Sequence, residues 1–322
     1  MGLTNFPNGI SSFGVPVVGG SSRQIFGDVY CVDGTNGSDD DPGTMDEPKA
    51  TIQAAITLQT ANTTGKGDVI YVMPGVYAEA LTGTLTKVSL IAAGSNFGNG
   101  PNGVVVYPAA ASNCFLGTTY QAEIDGFTFV QGTTTTPALL FNNMRWTTFN
   151  NNAIIGSNSS CVEAIQIGNT DAVATAANCD FNRITNNYVG TIFGTASSFT
   201  FAFKVGRVGY LNGASKKQCM STIIENNQFF ATTSGIYLGV GAGNADGTII
   251  KRNIITSWEG GDAEGCTAAC ITAYAVLDGA LAIKNTCATN LSAAAISNFQ
   301  PGHMIDNQTT QAGVGKREAV HA

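Results

Sequence analysis

Six carboxylates in the central part of the chain could do chemistry: Glu163, Asp171, Asp180, Glu225, Asp246 and Asp262. Hydrolysis of a glycosidic bond needs two carboxyls a defined distance apart, one acting as acid and the other as base or nucleophile. Elimination from a uronic acid needs a base beside a cation that neutralises the sugar carboxylate. The only histidines are His303 and His321, so no imidazole lies among these acids. No pair of the acids recurs at matched positions on adjacent coils of the repeat described below. The spacing therefore points away from catalysis, and no catalytic residue is assigned. Trp146 and Trp258 could stack on a sugar ring, although tryptophan more often serves a core or an interface.

Metal and nucleotide chemistry find no better footing, and neither metal nor cofactor is expected. The run Asp33-Gly-Thr-Asn-Gly-Ser-Asp-Asp-Asp41 is rich in oxygen donors but lacks the spacing and terminal glutamate of a calcium loop, so it reads as a solvated turn. Gly239-Val-Gly-Ala-Gly-Asn-Ala-Asp-Gly247 resembles a phosphate loop in composition only. A β-prone run follows it, whereas phosphate binding needs a helix N-terminus there. Eight cysteines are scattered from Cys31 to Cys287 without a CxxC, and Cys266-x-x-x-Cys270 has no histidine nearby. They read as reduced, small apolar residues.

Two further stretches suggest contact rather than catalysis. Residues 1–24 place Phe6, Pro7, Phe13 and Pro16 among Asn, Gly and Ser, with no periodicity that would bury the aromatics locally. They read as an extended arm whose phenylalanines dock on another surface. Residues 190–220 interleave Phe199, Phe201, Phe203 and Tyr210 with Lys204, Arg207, Lys216 and Lys217. Phe199, Lys204, Arg207 and Tyr210 are candidates for a subunit contact. The alternative is an ordinary strand with Phe201 and Phe203 on one face, followed by a solvated loop.

The composition bounds the rest. Only 11% of the 322 residues are charged, against roughly a quarter in average proteins. Glycine is abundant, at 39 residues. Small, polar and β-branched residues suit a stacked sheet with tight corners. A net charge of −7 argues against nonspecific nucleic-acid binding, which depends on neutralising phosphates. No run of eighteen apolar residues occurs, and the N-terminus has neither the basic nor the apolar region of a secretory signal, so no membrane association is expected.

The elements that would hold these residues begin at Asp28. A β run, Val29 to Val32, leads through the acidic loop into a short helix within residues 50–60. Ile52, Ala55, Ile56 and Gln59 share one face of it and Thr51 can cap it. A second β run, Val69 to Met73, ends at Pro74-Gly75 and leads into Val76-Tyr77; Val88 to Ala92 and Val104 to Val106 read as further strands. From Ile124 the chain repeats: Ile124-Asp-Gly-Phe, Phe149-Asn-Asn-Asn, Ile184-Thr-Asn-Asn, Ile224-Glu-Asn-Asn, Ile250-Lys-Arg-Asn, Ile283-Lys-Asn-Thr and Ile305-Asp-Asn-Gln. The anchors are 22 to 40 residues apart, which fits single coils with loops of different length. Stacked in parallel, the isoleucines Ile124, Ile184, Ile224, Ile250 and Ile283 form one interior column, and the asparagines form an amide ladder at a corner. Glu225 then lies beside Lys251, and Lys284 beside Asp306.

The segment Asp28 to Glu79, with its GDVIYVMPGVYAE run, resembles the opening of right-handed parallel β-helix proteins, in which the helix plugs the open end of the coil stack. The fold expected is all-β: an extended arm over residues 1–25, one right-handed parallel β-helix over 26–310 with an N-terminal capping helix, and a tail over 311–322. LTNFPNGISSFGVPVVGG followed by GDVIYVMPGVYAE resembles a family of phage structural proteins whose variable β-helices follow a shared N-terminal arm; the likeness is clearest over residues 1–80. It implies a non-enzymatic virion component, made in the host cytoplasm and placed on the capsid surface. Its role there would be decoration or cement: a homotrimer bound to the major capsid protein, with no catalytic residues to carry over. The competing reading is a tailspike that binds or cleaves host polysaccharide. A free polysaccharide lyase is disfavoured by the missing secretory signal.

Overall fold

The computed structural model describes residues 10–12, 15–18, 27–62, 66–94, 103–108, 112–132, 136–157, 161–168, 178–191, 199–206, 218–240, 244–256, 266–277, 279–289, 295–300, 302–311 and 317–320. β-Branched and aromatic residues at alternating positions make short strands. These strands pair in parallel with the strand one coil later rather than with their sequence neighbours. A ten-stranded sheet forms one wall, running from Val29–Val32 through Ile124-centred strands to Met304–Ile305. A second sheet of 18 strands bends into the other two walls, and the long strand Gln228–Leu238 runs through both. The result is a right-handed parallel β-helix, with its apolar interior continuous from end to end.

The register of the first wall defines the core. Tyr30, Ile70, Leu90, Ile124, Phe149, Ile184, Ile224, Ile250, Ala282 and Met304 occupy successive positions of one column. Ile124, Ile184, Ile224 and Ile250 are buried as expected. Ile283 is not in the column. It pairs with Lys251, and Ala282 takes the interior place; Ile305 is likewise displaced outward by Met304. The cause is the amide ladder three residues after each anchor. Asn152, Asn187, Asn227, Asn253, Asn285 and Asn307 are all buried. The backbone N–H and Nδ2 of each donate to Oδ1 of the next at 2.9–3.3 Å. Each Nδ2 also donates to the carbonyl of the preceding coil's anchor, as Asn307 does to Ala282 at 2.8 Å. A buried amide left unpaired costs about 1–3 kcal/mol, so Asn285 and Asn307 set the register and the smaller Ala282 is tolerated as an anchor.

Both ends of the stack are covered. The helix α1 (Ile52–Asn62) lies across the first coils with Ile52, Ala55, Ile56 and Gln59 buried. Each isoleucine contributes about 1.5–3 kcal/mol of burial. Thr51 Oγ1 accepts the Ala54 N–H at 3.1 Å, as expected of its cap. The Glu79 carboxylate accepts the Ile52 and Gln53 N–H groups at 3.0 and 2.8 Å, and Gln59 donates to Asp68 at 2.9 Å. At the far end, part of the tail is a strand. Arg317–Val320 returns antiparallel along Asn307–Gln311, covering a sheet edge that would otherwise present unpaired backbone groups. The N-terminal segment is not uniformly extended either: Ile10–Ser12 and Val15–Val18 pair as an antiparallel hairpin, a two-stranded sheet separate from the coil.

Candidate functional surface

Three of the six carboxylates singled out in the sequence, Glu163, Asp180 and Glu225, lie on different coils and are engaged by cations. Glu163 is ion-paired with Lys204, and the Lys204 ammonium also lies 4.9 Å from the centre of the Phe201 ring. Asp180 is buried, 3.7 Å from Arg145 Nε, and accepts the Met220 N–H at 3.1 Å. Glu225 bridges Lys251 at 3.1 Å and Arg252 at 3.2 Å, so the predicted cross-coil pair with Lys251 is formed. Lys284 and Asp306 sit one residue further on, at the left-handed corner, with φ of 53° and 49°. Asp246 is exposed. Asp171, Asp262 and Trp258 lie outside the described residues.

Of the residues proposed for contact, Phe199 is fully buried and Phe203 with it, whereas Phe201 is half-buried against Tyr237; Phe201 and Phe203 therefore face opposite ways. The pairing with Gln228–Leu238 is irregular between Phe199 and Phe201. Lys204 is buried in its pair with Glu163, and Arg207 and Tyr210 lie outside the described residues. So do Phe6, Pro7 and Phe13, while Pro16 falls in the hairpin opposite Ser11.

The acidic loop bonds to itself. Asp33 accepts the Asn36 side-chain amide at 2.9 Å, which holds its carboxyl below the usual range, and also the Thr35 and Asn36 N–H groups. Asp39 accepts both donors of Thr51. Gly247 of the glycine-rich run leads into the strand Ile249–Lys251, a turn between coils as expected. All eight cysteines are free and buried. Burial pushes Cys31 up and Cys114 up to about 12, so these thiols are poor nucleophiles. Among the described residues no three His, Cys, Asp or Glu side chains come together as metal ligands, and no helix is long and apolar enough to cross a membrane.

One surface feature is built rather than incidental. Three residues before each anchor the backbone turns through the left-handed region, at Lys87, Gln121, Trp146, Phe181, Ser221 and Gly247 in successive coils, with φ of 48–71°. Placing a bulky aromatic there is unfavourable by about 1–2 kcal/mol. Yet Trp146 and Phe181 occupy adjacent coils, 41% and 44% exposed. Their rings stack at 5.1 Å with planes 5° apart; Tyr120 meets Trp146 edge-on at 5.2 Å, and the Arg145 guanidinium lies 4.8 Å over Trp146. The backbone beneath is held tightly. Trp146 N–H donates to Asp180 O at 2.9 Å, Phe181 N–H to Met220 O at 2.8 Å, and Thr147 N–H to the buried Asn182 Oδ1 at 2.9 Å. Trp146 was visible in the sequence. Phe181 was missed, although it stands three residues before Ile184 as Trp146 does before Phe149.

No protein-family model and no curated protein matches the chain. Solved structures do. An alginate lyase from Paenibacillus superposes with a TM-score of 0.52 at 13% identity, covering 79% of this chain and 96% of that one. YbhC of Escherichia coli gives 0.49 at 12%, covering 95% and 80%. ORF18 of Geobacillus virus E2 gives 0.38 at 10%, covering 83% and 59%. At such identities the alginate lyase likeness is one of fold alone. The class it shares with this chain is the parallel β-helix.

Proposed function

We propose that this β-helix is a non-enzymatic structural protein of a phage virion, a homotrimeric capsid decoration protein anchored to the major capsid protein by residues 1–25 and displaying the coil outward. The observation that supports this reading is the N-terminal hairpin, Ile10–Ser12 with Val15–Val18, which pairs as a two-stranded sheet of its own rather than with the strands of the coil. The resemblance of residues 1–80 to phage structural proteins supports it. So does the engagement of Glu163, Asp180 and Glu225 by Lys204, Arg145 and Lys251, which suits a wall more than a reaction centre. The test is removal of the first 24 residues: the truncated chain should remain folded and oligomeric but no longer attach to particles. Full occupancy by the truncated protein would overturn the anchoring role.

The second reading, a spike for host polysaccharide, is favoured by the exposed Trp146–Phe181 stack. Cleavage is separable from binding: incubation with host polysaccharide should generate no new reducing ends. Depolymerisation lost on Glu163→Gln would replace the structural reading with an enzymatic one.

A further inference from the structure

The outward face of the ten-stranded wall changes character partway along the coil. Two columns of side chains point away from the core, one on either side of the buried anchors. In the first, Ser89, Glu123, Thr148 and Arg183 are followed by Ile223, Ile249 and Leu281. In the second, Asp125, Asn150 and Thr185 lead through the Glu225–Lys251 ion pair to Ile283 and Ile305. The last four strands of the wall therefore turn five branched aliphatic side chains outward, four of them half-buried and Ile305 exposed. Three more large apolar side chains flank the same coils. Ile254 follows the corner after Lys251, while Tyr274 and Val276 precede the corner before Leu281, and all three are exposed. Parallel sheets are ordinarily covered on both faces, and an apolar patch outside one marks a contact with another surface.

We propose that copies of the chain associate through this face, side by side and parallel, about an axis running along the coils. The proposal rests on the homotrimeric reading above and supplies its contact surface, in place of Phe199 and Lys204, which are buried. Charge selects the direction. Asp246, at the corner before the wall, is exposed, and its carboxylate leans over Gly279, filling the space a Cβ there would need. That places it at the height of the wall strand Leu281–Ile283, which ends at the exposed corner residue Lys284. Among the described residues neither Asp246 nor Lys284 has an ion-pair partner. Rotation about an axis along the coils sets the first corner of one copy against the second corner of the next at equal height. Asp246 then meets Lys284, and Tyr274 and Val276 meet Ile254. Antiparallel copies centred on the same strip would instead bring like corners together, Asp246 toward Asp246, and like charges in such a contact are costly. Length points the same way. Parallel copies lie alongside through all ten strands, about 40 Å, whereas antiparallel copies joined by the apolar strip share only its four coils. Because the two corners differ, the contact is heterologous and closes as a ring.

The experiment compares the full chain with its variants by sedimentation over a range of concentrations, with circular dichroism reporting the fold. Ile249→Lys puts a charge into the strip and should dissociate the oligomer into folded monomers. Asp246→Lys and Lys284→Asp should each raise the concentration needed for assembly roughly tenfold. The two together should restore it, because the pair is rebuilt with its signs exchanged. If Ile249→Lys does not fold, the charge reversals decide, since both side chains are exposed. An unaltered chain that is monomeric at every concentration would overturn this face and the homotrimeric reading together. An oligomer indifferent to Ile249→Lys and to both reversals would overturn the face and leave that reading standing. Single reversals that strengthen assembly, or whose combination fails to recover it, would overturn the parallel pairing.

Discussion

Asn227 shows how much one buried amide does in this protein. Its Oδ1 accepts two donors from Asn187, and its Nδ2 serves both Asn253 Oδ1 and the Ile184 carbonyl. Asn227→Ala orphans several buried groups at about 1–3 kcal/mol each, so a drop of several kcal/mol in stability is expected, read as an earlier onset of urea unfolding. Lys204→Met leaves the nearly buried Glu163 without its cation and should cost about 3–5 kcal/mol, much of it recovered by adding Glu163→Gln. The thiols give a third test at this scale: a maleimide should label none of the eight cysteines in the native protein and all of them once it is unfolded.

Among the elements, α1 depends on a residue outside itself. Burial raises the Glu79 carboxyl above its ordinary value, against the pull of the two helix N–H groups it accepts. A raised carboxyl binds its proton more tightly in the folded state than in the unfolded one. This contribution to stability is therefore full below the unfolded value and is lost as pH rises through the folded one. Site-resolved titration should place the Glu79 midpoint above that of an ordinary glutamate, and Glu79→Gln should remove this part of the pH dependence. At the other end, a chain lacking residues 312–322 loses the strand Arg317–Val320 and bares the edge Asn307–Gln311; light scattering should report self-association. These elements differ in how legible they were. The cap, its buried face and the parallel stacking could be read because they rest on local capping and on apolar periodicity. The last two coils could not be placed from isoleucine alone, since an apolar position accepts Ala282 or Met304 as readily. The amide column is the stricter signal, because only a side chain with paired donors and an acceptor satisfies it. The strand Arg317–Val320 depends on its partner Asn307–Gln311 and has no signature of its own.

At the scale of the whole molecule, stability is a sum over coils and their contacts, so a lesion at Asn227 should spread to adjacent coils rather than be absorbed locally. The surface stack escaped sequence reading for a related reason. Phe181 becomes a neighbour of Trp146 only once the register is known, 35 residues having passed between them in sequence. The same register separates two quantities that are coupled in most proteins. Anchors recur after as few as 20 and as many as 40 residues, yet each coil advances the stack by one strand spacing, about 4.8 Å. Contour length and height are thus independent. Chain inserted between walls broadens the silhouette and adds nothing to reach, which grows only in whole turns. A lineage of such molecules would change its outline by small insertions, but could become taller only by duplicating a complete turn with its asparagine in place.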